Sequence, residues 1–504
     1  MYDGIVTDGN VVADEGFGLL VSGMYDHAVL YIDFITDADT VDVATYDGVK
    51  PDTRFVADLN ISHHSGIRGD KAIFSKFGEF SFDGEDSGHG KAFSYTNILQ
   101  FFLRTLLLMS FNSIDTRQLF LRHVAQTSPN PLGIEISRAE GLYLYDPSGK
   151  AYMDLIGGIS VCNTGHRHPR VVQAIKDQAD QYLHVLVYGE LIQSPQVRYA
   201  TLLATHLPPS LNSVYFTNSG AEATEGAMKL AKRVTGRTEI VAFQQSYHGS
   251  TQGALSVMGD EYWRNAYRPL LPGVRHVKYN DHSSLEWITD KTACVIAETV
   301  QAERGIYAPD VAWMKALRQR CDETGALLVL DEIQAGFGRT GKLWGFENYD
   351  IVPDILLLGK ALGGGMPMGA FIADKQRMWA LTGDPVLGHI TTFGGHPVCC
   401  AAGLASMEVL LEEGWIAEVA RKEALFRQLL VHSTIRDIRS CGLLMAVEFD
   451  NFEINKKIID KCIEKGLLTD WYLFAPQCMR IAPPLLITEE EIARACEIIL
   501  ESIE

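Results

Sequence analysis

The chain has 504 residues, of which 47% are hydrophobic and 21% charged, a balance that fits roughly two to four packed domains and excludes a disordered or low-complexity chain. Its net charge of −19 repels polyanions, so neither nucleic acid nor an anionic membrane surface is an expected partner. A basic pocket for a small anion remains compatible with an acidic whole.

Residues 1–108 differ from the rest. Fourteen Asp and three Glu face seven Lys and Arg, so this fifth of the chain carries −10 of the −19. Asp-Gly pairs at Asp3-Gly4, Asp8-Gly9, Asp47-Gly48 and Asp83-Gly84 favour turns over helices, and short apolar runs such as Ala28–Ile32 suit strands. No basic region followed by an apolar stretch is visible in the first residues, so no secretory signal is expected. The longest oily stretch, Ile98–Phe111, is broken by Gln100 and Arg104 and falls short of the about 20 apolar residues that span a bilayer.

After Met109 apolar runs alternate with helix-period segments, the βαβ texture of an α/β protein. Strands are expected at Ser213–Thr217, Glu239–Phe243, Ala293–Ala297, Ala326–Leu330 and Ile355–Leu358, with helices at Ala221–Val234 and Val311–Glu323. From about Val398 the pattern turns helical over Ala401–Glu412 and Ile416–Val431. A strand at Leu443–Phe449 and helices at Asn455–Lys465 and Glu489–Ile503 follow. The reading is a large α/β domain beside a smaller α+β domain. All nine cysteines lie in this part, from Cys162 to Cys496, irregularly spaced and without a C-x-x-C pair. That argues against a disulfide framework and a zinc site, with no metal expected, and for a reducing, cytoplasmic compartment.

Three features here ask for one ligand. Leu327–Leu330 ends in Asp331-Glu332, carboxylates at the ligand-binding edge of a parallel sheet. Lys360 stands between the apolar Ile355–Leu358 and Gly363-Gly364-Gly365. A lysine desolvated in such a place has a lowered pKa and forms a Schiff base readily. Ser219 and the amides of Gly220 and Ala221, between a strand and a helix, make a phosphate site from dipole and unpaired N–H groups. Tyr247, in Tyr247-His248-Gly249, places a ring at a loop where it could cover a planar cofactor. Singly these features read as a snorkelling lysine, a helix cap and a solvent-facing turn. Together they describe a flat phosphorylated aldehyde with a basic ring nitrogen, which pyridoxal phosphate satisfies.

From about Phe120 to the C-terminus the chain resembles the class-III aminotransferases, a subgroup of the fold-type-I pyridoxal-phosphate enzymes. The resemblance is carried by Asn218–Ala223, Tyr247-His248-Gly249, Leu330–Gly341, Gly359–Gly365 and Thr391–Pro397 in this order and spacing. It implies a large domain with a mostly parallel seven-stranded sheet and a smaller α+β domain. Residues 109–190 would open the small domain, 191–400 form the cofactor-binding domain and 401–504 complete the small domain, after an acidic extension over 1–108. It implies that Lys360 binds pyridoxal 5'-phosphate covalently and that Asp331 pairs with the ring nitrogen. Gln334 would approach the ring hydroxyl and Tyr247 stack on the ring. Ser219, Gly220 and Ala221 would hold the phosphate, and Thr392 would reach the phosphate of a neighbouring subunit in a homodimer. Glu303, in Glu298–Glu303, and Arg480, in Met479–Pro484, resemble the family's gating pair. There the glutamate masks the arginine for an amine donor and frees it for a 2-oxo acid.

The implied activity is ping-pong transfer of an amino group from an ω-amino or acetylornithine-like donor to a 2-oxo acid such as 2-oxoglutarate. The chain departs from the family's pattern at Glu298-Thr299, which lacks a usual proline, at Ala302-Glu303-Arg304, and at two positions that bear on substrate. Ser250 replaces the arginine with which several branches bind a substrate carboxylate, and Ile159 stands where ornithine-specific members carry tyrosine. Both argue against strict ornithine transamination. An aminomutase or racemase on the same fold, and a catalytically silent binding protein, are the competing readings; retention of both Lys360 and Asp331 speaks against the latter.

Overall fold

The computed structural model describes residues 115–504 and, before them, the strands Gly18–Val21, Leu30–Asp33, Thr40–Thr45 and Phe55–Val56. The chain divides into two units, Met1–Thr105 and Leu106–Glu504. In the first, the four strands pair antiparallel in chain order, Gly18 opposite Asp33 and Leu30 opposite Thr45. The expected strand at Ala28–Ile32 thus lies at Leu30–Asp33. The Asp-Gly turns, the Ile98–Phe111 stretch and Met109 lie outside the described residues.

The second unit is built on a seven-stranded sheet. Its order is Val274–Val277, Glu239–Phe243, Thr292–Glu298, Leu327–Asp331, Ile355–Leu358, Gly369–Ala373 and Ser213–Thr217. All run the same way except Gly369–Ala373, which is antiparallel to both neighbours. The inner strands, from Thr292–Glu298 to Gly369–Ala373, are near-continuous apolar runs because both faces are covered. Side chains alternate between faces: Val295, Leu328, Leu330, Leu356 and Leu358 enter one core, Cys294, Ile296, Val329, Ile355 and Leu357 the other. The helix Gly220–Thr235 lies against the second face, and Gly226 there leaves room for Phe371, whose ring an added Cβ would meet at 2.3 Å.

A four-stranded antiparallel sheet orders Asp437–Ser440, Met445–Glu448, Ala475–Ile481 and Trp471–Tyr472. Another joins Leu467–Leu468 to Ala151–Asp154, Tyr143–Tyr145 and Arg138–Glu140, so the start and end of this unit share a sheet. Among the described residues no helix is long and apolar enough to cross a membrane.

Most expected elements are present within a few residues. The helix expected from Ala401 begins at Pro397, where a proline suits the first turn. Helices Pro169–Gln181 and Ser194–Thr205 and the strands Val274–Val277, Gly369–Ala373 and Ala475–Ile481 were not foreseen.

Candidate active site

The parallel strands deliver their C-terminal ends to one edge of the sheet, and a cavity of about 240 Å³ opens there. Gly220, Ala221, Tyr247, Ser250, Asp331, Gln334 and Lys360, all singled out from sequence, line it together with His248, Gly249, Glu298 and Val300. Lys360 leaves the strand Ile355–Leu358 through Gly359 and holds φ at +48°, a left-handed backbone rarely kept by a non-glycine residue and often found at functional sites. Burial pulls its amine below the ordinary lysine range, against the opposing pull of the Glu303 and Asp331 charges.

Asp331 ends the neighbouring strand and is 5% exposed. Its Oδ1 accepts from the Ile333 N–H at 3.0 Å, and its Oδ2 lies 2.7 Å from His248 Nδ1. His248 is itself buried, and its Nε2 has no partner among the described residues. Glu298 ends the next strand directly opposite Asp331. It accepts from the Tyr247 N–H at 3.0 Å and the Ala302 N–H at 3.3 Å. Burial, and then the Asp331 charge, push its carboxyl well above the usual range.

The helix Gly220–Thr235 aims its N-terminus at the cavity. Ser219 caps it, Oγ accepting from the Glu222 N–H at 3.2 Å, while Glu222 accepts from the Asn218 N–H at 2.8 Å. Ser219 therefore stands at the helix start without lining the cavity wall. Gly249, at φ +119°, packs so closely on this turn that a Cβ would lie 2.6 Å from that of Ala221. Tyr247 is half-buried, its hydroxyl 3.2 Å from Ser250 Oγ.

Gln334 links the cavity to the Glu303–Arg480 pair. Its Nε2 donates to Glu303 Oε1 at 3.2 Å and its Oε1 accepts from Arg480 Nη1 at 3.4 Å. Arg480, 2% exposed, donates from both Nη atoms to Glu303 at 3.2 Å. Burial alone would raise the Glu303 carboxyl, but Arg480 outweighs it and holds it below the ordinary range. Arg339 is wholly buried and donates to Asn163, Leu443 and Pro483, so it is not free for a ligand.

Two sequence-selected residues stand apart. Thr392 is exposed and does not line this chain's cavity, although its neighbour Thr391 accepts from Asn218 Nδ2 at 2.9 Å. Ile159 is 38% exposed, at φ +62°, in the turn Gly157–Ser160. That turn packs on Ala482, whose carbonyl a Cβ at Gly157 would meet at 3.0 Å.

The class-III aminotransferase profile matches residues 123–503, the whole span that builds this cavity. The chain belongs to the class-III aminotransferases. It is 38% identical over 384 residues to the acetylornithine aminotransferase of Caldanaerobacter subterraneus, covering 73% of this chain and 94% of that one. The Bacillus subtilis acetylornithine aminotransferase is likewise 38% identical over 377 residues, 73% of this chain and 95% of the relative. Among solved structures, the ornithine aminotransferase of Toxoplasma gondii superposes with a TM-score of 0.72 at 30% identity, covering 79% and 97% of the two chains.

Class-III aminotransferases depend on pyridoxal phosphate, and the cavity's own chemistry fits that group. A lysine whose pKa burial lowers, the buried carboxylate of Asp331, and a helix N-terminus kept open by Gly220 and Gly249 meet in one space. Sequence reasoning passed over His248 and Glu298. Glu298 had a signal: like Asp331, it is an acid closing an apolar run, and parallel strands set such residues side by side. His248 had only its adjacency to Tyr247.

Proposed function

We propose that this class-III aminotransferase moves an amino group from an ω-amino or acetylornithine-like donor to a 2-oxo acid, 2-oxoglutarate first among them. The observation that carries the reading is the buried Arg480–Glu303 pair joined through Gln334 to the cavity that holds Lys360 and Asp331. The relatives named acetylornithine aminotransferase support the donor class. Ser250 offers no guanidinium and Arg339 is engaged, which leaves Arg480 to receive a carboxylate.

Pyridoxal phosphate, when bound, supplies an electrophilic aldehyde and an electron-accepting ring. The residues do the rest. Ser219, Gly220 and Ala221 would hold the phosphate at the helix start, Tyr247 would cover the ring and Gln334 would meet its hydroxyl. Asp331, oriented by His248, would pair with the ring nitrogen. Lys360 would be the residue that holds the cofactor covalently. Burial lowers the Lys360 pKa and so favours the neutral Nζ that a base for the donor carbon's proton needs. Glu303 covers Arg480 while the donor reacts and leaves it for the acceptor's carboxylate, so the two substrates use one site in turn, by ping-pong kinetics.

The working unit is a cytoplasmic homodimer. Exposed Trp379, Val386, Leu387 and Ile390 line one surface hollow shortly before Thr392 in the chain, an apolar set suited to a second copy to which Thr392 would offer its hydroxyl. The nine free cysteines suit a reducing compartment.

The deciding experiment supplies a panel of amines singly to the holoenzyme and then adds 2-oxoglutarate or pyruvate. Full conversion to the amino form of the cofactor by an acetylornithine-like or ω-amino donor alone, reversed by the acceptor, is expected. Isomerisation of one compound without net amino transfer would overturn the reading in favour of an aminomutase or racemase.

A further inference from the structure

Four consecutive residues wrap Arg480. Thr469 Oγ1 donates to its carbonyl at 2.6 Å, and its own N–H donates to the Asp470 carbonyl at 2.9 Å. Asp470 Oδ1 accepts from Arg480 Nε at 2.7 Å, and the Trp471 carbonyl accepts from Nη2 at 3.2 Å. The Tyr472 ring lies against the guanidinium, its centroid 4.3 Å from Cζ. All four residues come from the segment that leads into the edge strand Trp471–Tyr472, beside the strand Ala475–Ile481 that carries Arg480.

A guanidinium has five N–H groups in a rigid plane. Asp470 and Trp471 occupy two of them. The other three face Glu303, which accepts from Nη1 and Nη2, and Gln334, which accepts from Nη1. Removing the Glu303 carboxylate therefore frees one N–H on each Nη, side by side, the fork that a carboxylate meets with two bonds. Those donors are useful only if the plane does not turn once Glu303 has gone. Nε lies on the axis about which it would turn, and the Asp470 carboxylate is the charged group that holds Nε.

We propose that Asp470 is a positioning residue for the 2-oxo acid: by holding Arg480 through Nε it keeps both Nη groups aimed at the acceptor's carboxylate after Glu303 withdraws. This rests on the reading of Arg480 as the acceptor's receptor. Asp470 does not touch the acceptor. It acts on acceptor recognition far more than on the donor half-reaction, during which Glu303 supplies the same restraint.

The test measures each half-reaction of the holoenzyme separately, with 2-oxoglutarate as acceptor, in Asp470→Ala, Asp470→Asn and Asp470→Glu. Asp470→Ala should raise the acceptor KM by about tenfold or more, the loss expected for a charge-assisted hydrogen bond, with a much smaller change in the donor half-reaction. Asp470→Asn, which keeps an oxygen for Nε, should recover most of that loss. Asp470→Glu keeps the charge but moves it one methylene along; it should raise the acceptor KM in a protein with normal cofactor absorbance, and so serves should the alanine variant fail to fold. Acceptor KM values within about twofold of the parent in the alanine and glutamate variants, or equal damage to both half-reactions, would overturn the proposal. Arg480→Lys separates the two levels. If it raises the acceptor KM and Asp470→Glu does not, the role of Asp470 falls alone; if it leaves the KM unchanged, the receptor reading falls with it.

Discussion

Replacing Glu303 by glutamine removes the charge that competes with an incoming carboxylate while keeping the shape of the side chain. Glu303 meets Arg480 through two contacts, both at 3.2 Å, longer than the 2.7–2.9 Å of a tight charge-assisted pair. Hydrogen bonds to charged groups contribute about 1.5–3 kcal/mol net, and the neutral amide retains about 1 kcal/mol. The withdrawal that precedes acceptor binding thus becomes easier by about 0.5–2 kcal/mol, a fall in acceptor KM of about two- to thirtyfold. Arg480 keeps Asp470 as its counter-charge, so the variant should fold. The assay prepares the amino form of the cofactor on the enzyme and follows its single-turnover conversion against 2-oxoglutarate concentration. The donor half-reaction should move the other way, because the uncovered guanidinium repels a cationic donor. An acceptor KM that is unchanged or raised would refute the idea that Glu303 competes for Arg480.

Four further outcomes are expected. Lys360→Ala should lose the visible absorbance of covalently held cofactor and all turnover; a variant keeping a borohydride-reducible adduct would point to another lysine. Asp331→Asn should bind cofactor yet turn over about 10²–10³-fold more slowly, with His248→Phe intermediate because it removes only the 2.7 Å partner of Asp331; near-parental kcat in Asp331→Asn would contradict its role. Burial, and then Arg264, hold the His276 imidazole down to about 4, whereas the unfolded chain takes up that proton near about 6.5; its stabilising contribution is complete above that pH and is lost as pH falls toward 4. Urea unfolding of the parent and His276→Phe at about pH 7.5 and 4.5 should show the parent losing more, and parallel losses would contradict the assignment. A chain starting at Met109 should dimerise, bind pyridoxal phosphate and match the full chain in kcat/KM, and loss of either property would show that residues 1–108 belong to the working enzyme.

The part of the fold that carries the cofactor chemistry was legible because its signals are local. An apolar run, a cap and a helix period mark Ser213–Thr235 within a couple of dozen residues, and the lysine-to-glycine passage at Gly359–Gly365 gains its meaning from the company of those segments. The strand Gly369–Ala373 was hidden: GAFIA is short, half of small residues, and follows a glycine-rich turn. Helix Pro169–Gln181 buries only Val171 and Gln178, too thin a stripe to announce itself. Cavity-lining Glu298 shared with Asp331 the signal of an acid closing an apolar run, whereas His248 became visible only through its meeting with Asp331 in space. Asp470 left no sequence signal at all, since its meeting with Arg480 depends on how the edge strand Trp471–Tyr472 pairs with Ala475–Ile481.

The turn Gly157–Ser160 bears on any attempt to redirect substrate choice. Its four residues all hold φ between +55° and +62°, and Ser160 and Val161 donate back to Ile156 and Gly157, so the backbone winds for one turn in the opposite hand. Each L-residue kept that way costs about 1–2 kcal/mol, and Ile159, branched at Cβ, suits it least. Asp154 anchors the turn by accepting from the Ile156 and Gly157 N–H groups. Every exchange at position 159 therefore changes the backbone's energy along with the side chain. Glycine or asparagine would relax the turn, while valine would carry the same burden with a smaller side chain. A library at that position selects for tolerance of mirror-handed backbone before it selects for donor, and its winners need to be ranked by stability and by specificity as separate quantities.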